Sequence, residues 1–468
     1  MGSHYDLVVV GVGSAGLVAA EFAHQIDLKA IAVEGSRVGG DCLWTGCIPS
    51  KSLLASARVA HLMRTADRFG ITSREPEIET ERVWARIHDI QRRIAETDDN
   101  PDRFREASIE VPVGEPARLI APHSVSVGDR TLDTRYVLIC TGSRPAAPAI
   151  PGLEEAGFIT SENVFDLKRA PRSLIFIGGG PIAMELAQGM KRLGVGTEIL
   201  QSGDRVLPRD EPELSAILTD VIRSEGVGVH LGVQIDRVTV ENGEKVVHAR
   251  VGGSSQSWRA EEIFVATGRR PNVEGLGLEE LGIEVGKRGI EVDSRLRTAV
   301  KNVYAAGDVA GRYLFTHSAA YEAVQALRDM FYPGRGSAPK SVPWCTFTDP
   351  ELAHAGMTIA EARAAHGDIE VWRWPLDHCD RARADGATDG AIVLVSAKKR
   401  LVGAHILAPA AGEMIHELAL AIHRGLKISD VYGMVHVYPT YATSIGQVLA
   451  AAAYQRARDL KWLVRSAG

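Results

Sequence analysis

The chain has 468 residues, enough for two to four domains with ample core. A formal net charge of -6 speaks against nucleic-acid or anionic-membrane partners, and no apolar run is long enough to span a bilayer. Five cysteines (Cys42, Cys47, Cys140, Cys345, Cys379) form an odd, sparse set, which fits a reducing compartment; without an export-type leader, the expected location is cytoplasmic. Met1-Gly2-Ser3-His4 reads as partly a cloning remnant.

Tyr5-Asp6-Leu7-Val8-Val9-Val10 is a buried-strand run. Gly11-Val12-Gly13-Ser14-Ala15-Gly16 follows, and Leu17 to about Gln25 is helical. This is G-x-G-x-x-G between a strand and a helix, where glycines let backbone approach a pyrophosphate at the helix N-terminus. A second strand, Ala30-Ile31-Ala32-Val33, ends in Glu34, an acid placed to hold an adenosine ribose. Gly11, Gly13, Ser14, Ala15, Gly16 and Glu34 are therefore candidate dinucleotide contacts.

Next comes Gly39-Gly40-Asp41-Cys42-Leu43-Trp44-Thr45-Gly46-Cys47-Ile48-Pro49-Ser50-Lys51. Pro49 suits a first helical turn, and Ser50 to Ala57 is good helix sequence. A helix N-terminus and a nearby lysine both stabilise a thiolate, so the cysteine pair is placed to cycle between dithiol and disulfide. The alternatives are two incidental buried cysteines or half of a zinc site; zinc would want a second Cys/His pair at short spacing, and none follows. The motif G-G-x-C-x-x-x-x-C-x-P-S-K resembles the redox-active disulfide of the flavoprotein pyridine nucleotide–disulfide oxidoreductases. Dihydrolipoamide dehydrogenase, glutathione reductase and mercuric reductase are members of that family. The resemblance implies an α/β fold with two Rossmann-like domains, for FAD and NAD(P)H, and an α+β C-terminal dimerisation domain. It also implies FAD contacts from Gly40 and Asp41.

Residues 52–110 read as helical and charge-rich, with Glu81 to Glu96 a packed, solvated helix. Strands then end in Val137-Leu138-Ile139-Cys140-Thr141-Gly142-Ser143-Arg144-Pro145. In the family a T-G-x-x-P segment closes over the flavin, which implies backbone contacts from Thr141 and Gly142. The chain next repeats itself. Leu174-Ile175-Phe176-Ile177 leads into Gly178-Gly179-Gly180-Pro181-Ile182-Ala183 and a helix, and later into Thr267-Gly268-Arg269-Arg270-Pro271. Two nucleotide folds suggest two cofactors, FAD on the first and NAD(P)H on the second. Gly178, Gly180, Pro181 and Gly268 are the expected contacts of the second. The strand Thr197-Glu198-Ile199-Leu200 ends in Gln201, where an NAD site usually has an acid. Arg205 and Arg209 lie just beyond, either as partners of a 2′-phosphate or as plain surface residues. The expected nicotinamide is NADPH rather than NADH. The resemblance implies a Lys51–Glu185 pair beside the flavin ring, and puts Pro181 where relatives often carry a gating tyrosine.

Val303-Tyr304-Ala305-Ala306-Gly307-Asp308-Val309 is the next family signature, and it implies that Asp308 holds the flavin ribityl chain. From Phe315-Thr316-His317-Ser318-Ala319 a helix starts; His317 is either a flavin neighbour or a packed helix-start residue. The expected division is 1–147 and 272–338 for FAD, 148–271 for NAD(P)H and 339–468 for dimerisation. The last region starts at Trp344-Cys345-Thr346-Phe347-Thr348-Asp349-Pro350 and continues in strands and two helices. Cys345 is read as a buried strand cysteine, although the resemblance implies a place near the nicotinamide.

Disulfide reductases of the family carry H-P-T-x-x-E, whose histidine is the acid/base for the exchange thiol. Here the segment is His436-Val437-Tyr438-Pro439-Thr440-Tyr441-Ala442-Thr443. Tyr438 stands at the histidine position and Thr443 at the glutamate position, and His436 is two residues early. A tyrosine, with an ordinary pKa of about 10, is a poor base near neutral pH. Mercuric reductases also lack this histidine, but they end in a cysteine pair; this chain ends Trp462-Leu463-Val464-Arg465-Ser466-Ala467-Gly468.

The expected activity is electron transfer from NAD(P)H through FAD and Cys42–Cys47 to a small disulfide or a soft metal ion such as Hg(II). By resemblance Cys47 is the flavin-proximal sulfur and Cys42 the exchange thiol, with Tyr438 of a homodimer partner over it. No bound metal is expected. Two other readings stay open, a flavoprotein that reduces quinones or other acceptors directly and a non-enzymatic redox sensor.

Overall fold

The computed structural model describes residues 4–106, 109–332, 334 and 336–459. Met1 to Ser3 and the 462–468 tail lie outside the described residues. The first sheet runs in the order Ala30–Val33, His4–Val10, Arg130–Ile139, Ser124–Val127, Ala117–Ala121. Its first three strands are parallel, in register at Leu7↔Ala30 and Val10↔Ile139. Val303–Ala305 returns to this sheet and pairs in parallel with Arg130–Ile139. Strands buried on both faces read as continuous apolar runs, which is why Leu7, Val8 and Val9 are fully buried. Ala15, Ala19 and Ala23 of the helix Ser14–Gln25 share one core with Ala319, Ala323 and Ala326 of the helix Thr316–Phe331.

A second parallel sheet follows the order Glu262–Val265, Ser173–Ile177, Gly196–Leu200, Gly228–His230. A three-stranded antiparallel sheet, Gln234–Glu241, Glu244–Val251 and Ser254–Ala260, lies beside it. The C-terminal region holds a five-stranded antiparallel sheet in the order Trp344–Thr346, Glu351–Gly356, Arg400–Ala408, Ala391–Ala397, Glu370–Pro375. Mixed α/β layers of this kind bear out the expected fold class.

Two expectations need correction. The 52–110 stretch is not one helical run. Helices Cys47–Arg64 and Thr80–Thr97 are separated by a short 3-10 turn and an irregular segment. Gly70 closes that turn at φ +74°, and Pro76 disfavours a helical backbone at the preceding Glu75. Among the described residues the C-terminal region carries five α-helices rather than two: Ile359–His366, Asp380–Ala384, Ala411–Arg424, Ile428–Tyr432 and Thr443–Asp459. The extra ones are short, and a short helix shows little periodicity. Ile359–His366 is started by a capping box between Thr358 and Glu361.

The helix Thr80–Thr97 buries Trp84, Ile87 and Gln91, at i, i+3 and i+7. Gln91 Nε2 donates to the carbonyls of Leu43 (3.0 Å) and Trp44 (2.8 Å). A helix read as lacking chemistry thus ends the turn of helix Gly40–Trp44 that carries Cys42. Among the described residues no helix is long and apolar enough to cross a membrane.

Candidate active site

Both glycine motifs open into one cleft of about 1980 Å³. Gly11, Gly13, Ser14, Ala15, Glu34, Gly40, Asp41, Cys42, Cys47, Lys51, Thr141, Gly142, Asp308 and His317 line its first part. Gly178, Gly180, Pro181, Glu185, Gln201 and Gly268 line its second. The two loops are built alike. Gly11 sits at φ +95°, and a Cβ there would lie 2.5 Å from the Cys140 carbonyl oxygen; Gly178, at φ +108°, stands in the same relation to Ala266. Helices Ser14–Gln25 and Pro181–Arg192 start from Gly13 and Gly180 with no side-chain cap, which leaves first-turn N–H groups open, from Ser14 in one helix and from Ile182 in the other, since Pro181 has none. Two such N-termini in one long cleft are a donor set that fits two dinucleotides. Gly16 faces away from the cleft and packs under Gly11.

Glu34 accepts from the Val12 N–H (2.7 Å) and the Ser36 N–H (2.8 Å). Gln201 holds the matching place in the second loop: its Oε1 accepts from the Gly179 N–H (2.9 Å). Its Nε2 donates to the Arg205 carbonyl (3.1 Å), a contact that a carboxylate would repel. The Arg205 guanidinium donates to the Pro208 carbonyl (2.7 Å) and lines a neighbouring cavity, not the main cleft; Arg209 lines both.

Cys42 and Cys47 are free thiols that hydrogen-bond each other at the head of the helix Cys47–Arg64. The bond from Cys42 pulls the Cys47 thiol down from its ordinary value, and Thr316 and the Lys51 charge add to this. Cys42 is pushed the other way by the same bond and by burial. The pair is thus split into a ready thiolate and its proton donor. The Thr316 hydroxyl lies 3.4 Å from Cys47 Sγ. Lys51 Nζ donates to Glu185 Oε2 at 2.8 Å, and the Phe347 N–H donates to Glu185 Oε1 at 2.9 Å. Glu185 is nearly buried, and the Lys51 ammonium also lies over the Phe347 ring at 4.4 Å. Further along the same helix, Gln188 and Arg192 bind Asp349, so one face of the helix holds the 347–349 segment.

Asp308 accepts from the Ser143 hydroxyl (2.6 Å) beside Arg269, which also pairs with Asp41. Burial raises the Asp308 carboxyl above its ordinary range. Beneath it, fully buried Glu322 accepts from the Gly307 N–H (2.9 Å), and burial pushes its carboxyl up to about 7. Thr316, Ser143, Arg269 and Glu322 escaped the sequence reading; Arg269, inside the T-G-R-R-P segment, had the plainest signal. Cys345 is a strand cysteine that also lines the cleft, and burial raises its thiol.

Tyr438 does not line the cleft. It is exposed, and its hydroxyl donates to Asp380 Oδ2 at 3.0 Å, which holds its pKa above the ordinary value. The His436 side chain is buried and meets Glu417 at 3.1 Å, a different depth from Tyr438. Among the described residues no group of three or more His, Cys, Asp or Glu side chains is arranged to hold a metal.

The sequence profile of the pyridine nucleotide-disulphide oxidoreductases matches residues 5–323, and that of the family's dimerisation domain matches 342–449. A dihydrolipoyl dehydrogenase from Thermus scotoductus is 33% identical over 462 residues, covering 96% of this chain and 97% of its own. A mercuric reductase from Bacillus cereus is 31% identical over 445 residues, covering 94% of this chain and 70% of its own. A solved Cu(II) complex of the HOCl-induced flavoprotein disulfide reductase RclA from Escherichia coli superposes with a TM-score of 0.84 at 25% identity. That match covers 96% of this chain and 99% of the other. The chain therefore belongs to the pyridine nucleotide-disulphide oxidoreductases, a family of FAD-dependent enzymes that use NAD(P)H.

Proposed function

We propose that this chain, as a homodimer, passes electrons from NADPH through FAD and Cys42–Cys47 to a small thiol-reactive acceptor, either a small disulfide or a soft metal ion such as Hg(II). The observation that carries this reading is the split thiol pair at a helix N-terminus, open to the cleft that both glycine loops share.

FAD, when bound, supplies two-electron transfer from the nicotinamide to the cysteine disulfide. The loops at Gly11 and Gly178 would hold the two pyrophosphates, and Asp308 with Ser143 would hold the ribityl side. Lys51, fixed by Glu185, keeps a positive charge beside Cys47. Two protons and two electrons convert the Cys42–Cys47 disulfide to the dithiol. With a disulfide acceptor, Cys42 gives its proton to the Cys47 thiolate, attacks one sulfur and expels the first thiolate. Cys47 then attacks Cys42, expels the second thiolate and restores the internal disulfide. With Hg(II), closure of the dithiol releases two protons and two electrons, which reduce the metal to Hg(0).

The segment at the exchange thiol favours the metal. A phenol already donating to Asp380 stays protonated near neutral pH and takes up no proton. An acceptor that reacts with thiolates without a base suits such a site. One relative is a mercuric reductase, and the structural neighbour was solved as a Cu(II) complex. The homodimer reading is supported by exposed apolar side chains on two segments, Val59, Leu62, Phe69 and Ile71 on the first and Val435, Val437 and Tyr438 on the second. In that dimer the partner's Tyr438 comes over Cys42.

The test is anaerobic NADPH oxidation with thiol-complexed Hg(II), small disulfides and quinones as separate acceptors. Turnover with Hg(II) or a disulfide supports the reading; turnover with quinones alone overturns it. The choice of NADPH rests on Gln201. In a Gln201→Glu variant the Gly179 contact survives, but a carboxylate faces the 2′-phosphate. KM for NADPH is expected to rise about tenfold, the effect of about 1.4 kcal/mol, with KM for NADH little changed. An unaltered ratio of the two KM values would remove the argument for NADPH.

A further inference from the structure

Three consecutive residues begin the helix Thr316–Phe331, and they face different partners. Thr316 touches Cys47 Sγ at 3.4 Å. Its two neighbours dock on the strand entering the C-terminal sheet. The Phe315 ring lies near-parallel to the Trp344 indole, with centroids 6.0 Å apart, and His317 Nε2 meets the Pro343 carbonyl at 2.8 Å. Phe315 and His317 also stack on each other at 5.3 Å.

Trp344 is itself fixed from two further directions. His354, its cross-strand partner, stacks on it at 3.6 Å. Its indole N–H donates to Asp210 Oδ1 at 2.8 Å, and Asp210 is only 3% exposed. Asp210 belongs to the loop that follows Gln201, and the next-door Arg209 lays its guanidinium over the same indole at 4.8 Å. Arg209, Asp210, Trp344, Phe315 and Thr316 all line the cleft. A buried carboxylate bonded to an indole N–H is a strong, directional tie. Near-parallel aromatic faces at these spacings resist sliding.

We propose that Trp344, held by Asp210, is a positioning residue that seats the first turn of the Thr316–Phe331 helix and thereby holds the Thr316 hydroxyl against Cys47. The thiol pair and the nicotinamide loop then share one aromatic wall. The role is geometric: nothing is transferred through the indole. A ring lost at 344 lets Phe315 move, and the hydroxyl next to it loses its aim at the sulfur. This inference rests on the reading of Cys47 as the stabilised thiolate.

The test uses the FAD-loaded Cys42→Ser protein, in which Cys47 is the one thiol of the pair. Its thiolate is followed by charge-transfer absorbance against the flavin as pH is raised. A further Thr316→Val change is expected to move the midpoint up by about one unit, the loss of one hydrogen bond to a charged sulfur. Trp344→Leu is expected to move it in the same direction by a comparable amount. Trp344→Leu and Thr316→Val together are expected to move it no further than Thr316→Val alone, because they act through one contact. Phe315→Leu removes the same docking from the helix side and gives the same shift if the Trp344 variant does not fold. A midpoint unmoved by Trp344→Leu or Phe315→Leu, or a double shift equal to the sum, overturns the positioning role. A Cys47 that titrates like an ordinary thiol before any of these changes overturns the reading of the site itself, and this inference with it.

Discussion

Turnover with thiol-complexed Hg(II) or a small disulfide falls by about 10³-fold or more when Cys47 is replaced by serine. Serine is near the size of cysteine, so packing around Thr316 and Lys51 survives. What is lost is the sulfur that closes the internal disulfide. Without it the two electrons have no route to Cys42, and a mixed disulfide formed at Cys42 has no thiolate to resolve it. Anaerobic reduction of bound flavin by NADPH should persist at near its normal rate, because Cys47→Ser leaves the nicotinamide side untouched. Rapid-mixing absorbance separates the two half-reactions. A variant that keeps full turnover with these acceptors would mean that the cysteine pair is not the working site.

Replacing Glu185 by leucine slows flavin reduction by NADPH by about 10²-fold, the scale of a misplaced group at a reacting centre. Glu185 ties the cysteine helix, through Lys51, to the segment that follows the strand Trp344–Thr346, through the Phe347 N–H. Leucine leaves that N–H unpaired and the Lys51 ammonium free to swing out. The orphaned donor alone costs about 2 kcal/mol of stability. Glu185→Gln keeps an acceptor for Phe347 and restores most of the stability, while Lys51 still lacks a counter-charge. Stability should therefore follow the backbone contact and the rate should follow the charge. Stopped-flow reduction and thermal unfolding of the three proteins check this; a Glu185→Leu protein equal to wild type in both would deny Glu185 either role.

Much of the site is legible along the chain because it is made of local backbone demands. The loops at Gly11 and Gly178 need positive φ at a strand-to-helix turn, and only a glycine pattern meets that need without strain. The cysteines lie at a helix start that Pro49 announces. The irregular 70–79 segment and the short C-terminal helices were harder to see, since elements of one or two turns carry little periodicity.

The Lys51–Glu185 pair spans 134 residues and was expected only because the chain resembles a known family. Thr316 against Cys47 spans 269 residues and had no sequence signal. The same holds for Asp210 under the Trp344 indole and for Glu322 under the Gly307 loop. Arg205 and Arg209 look equivalent in sequence, yet the Arg205 guanidinium is taken up by the Pro208 carbonyl and, of the two, Arg209 lines the cleft.

By itself, then, the sequence determined two glycine-rich strand-to-helix loops, a cysteine pair at a helix N-terminus and the absence of a histidine at position 438. Those are properties of short segments, set by backbone geometry and residue chemistry. The tertiary structure alone decided which hydroxyl meets the sulfur, which acid holds which cation and which arginine faces the cleft. The hydroxyl–sulfur and acid–cation contacts join segments more than a hundred residues apart, and only the packing of the sheets and their helices brings them within hydrogen-bond reach.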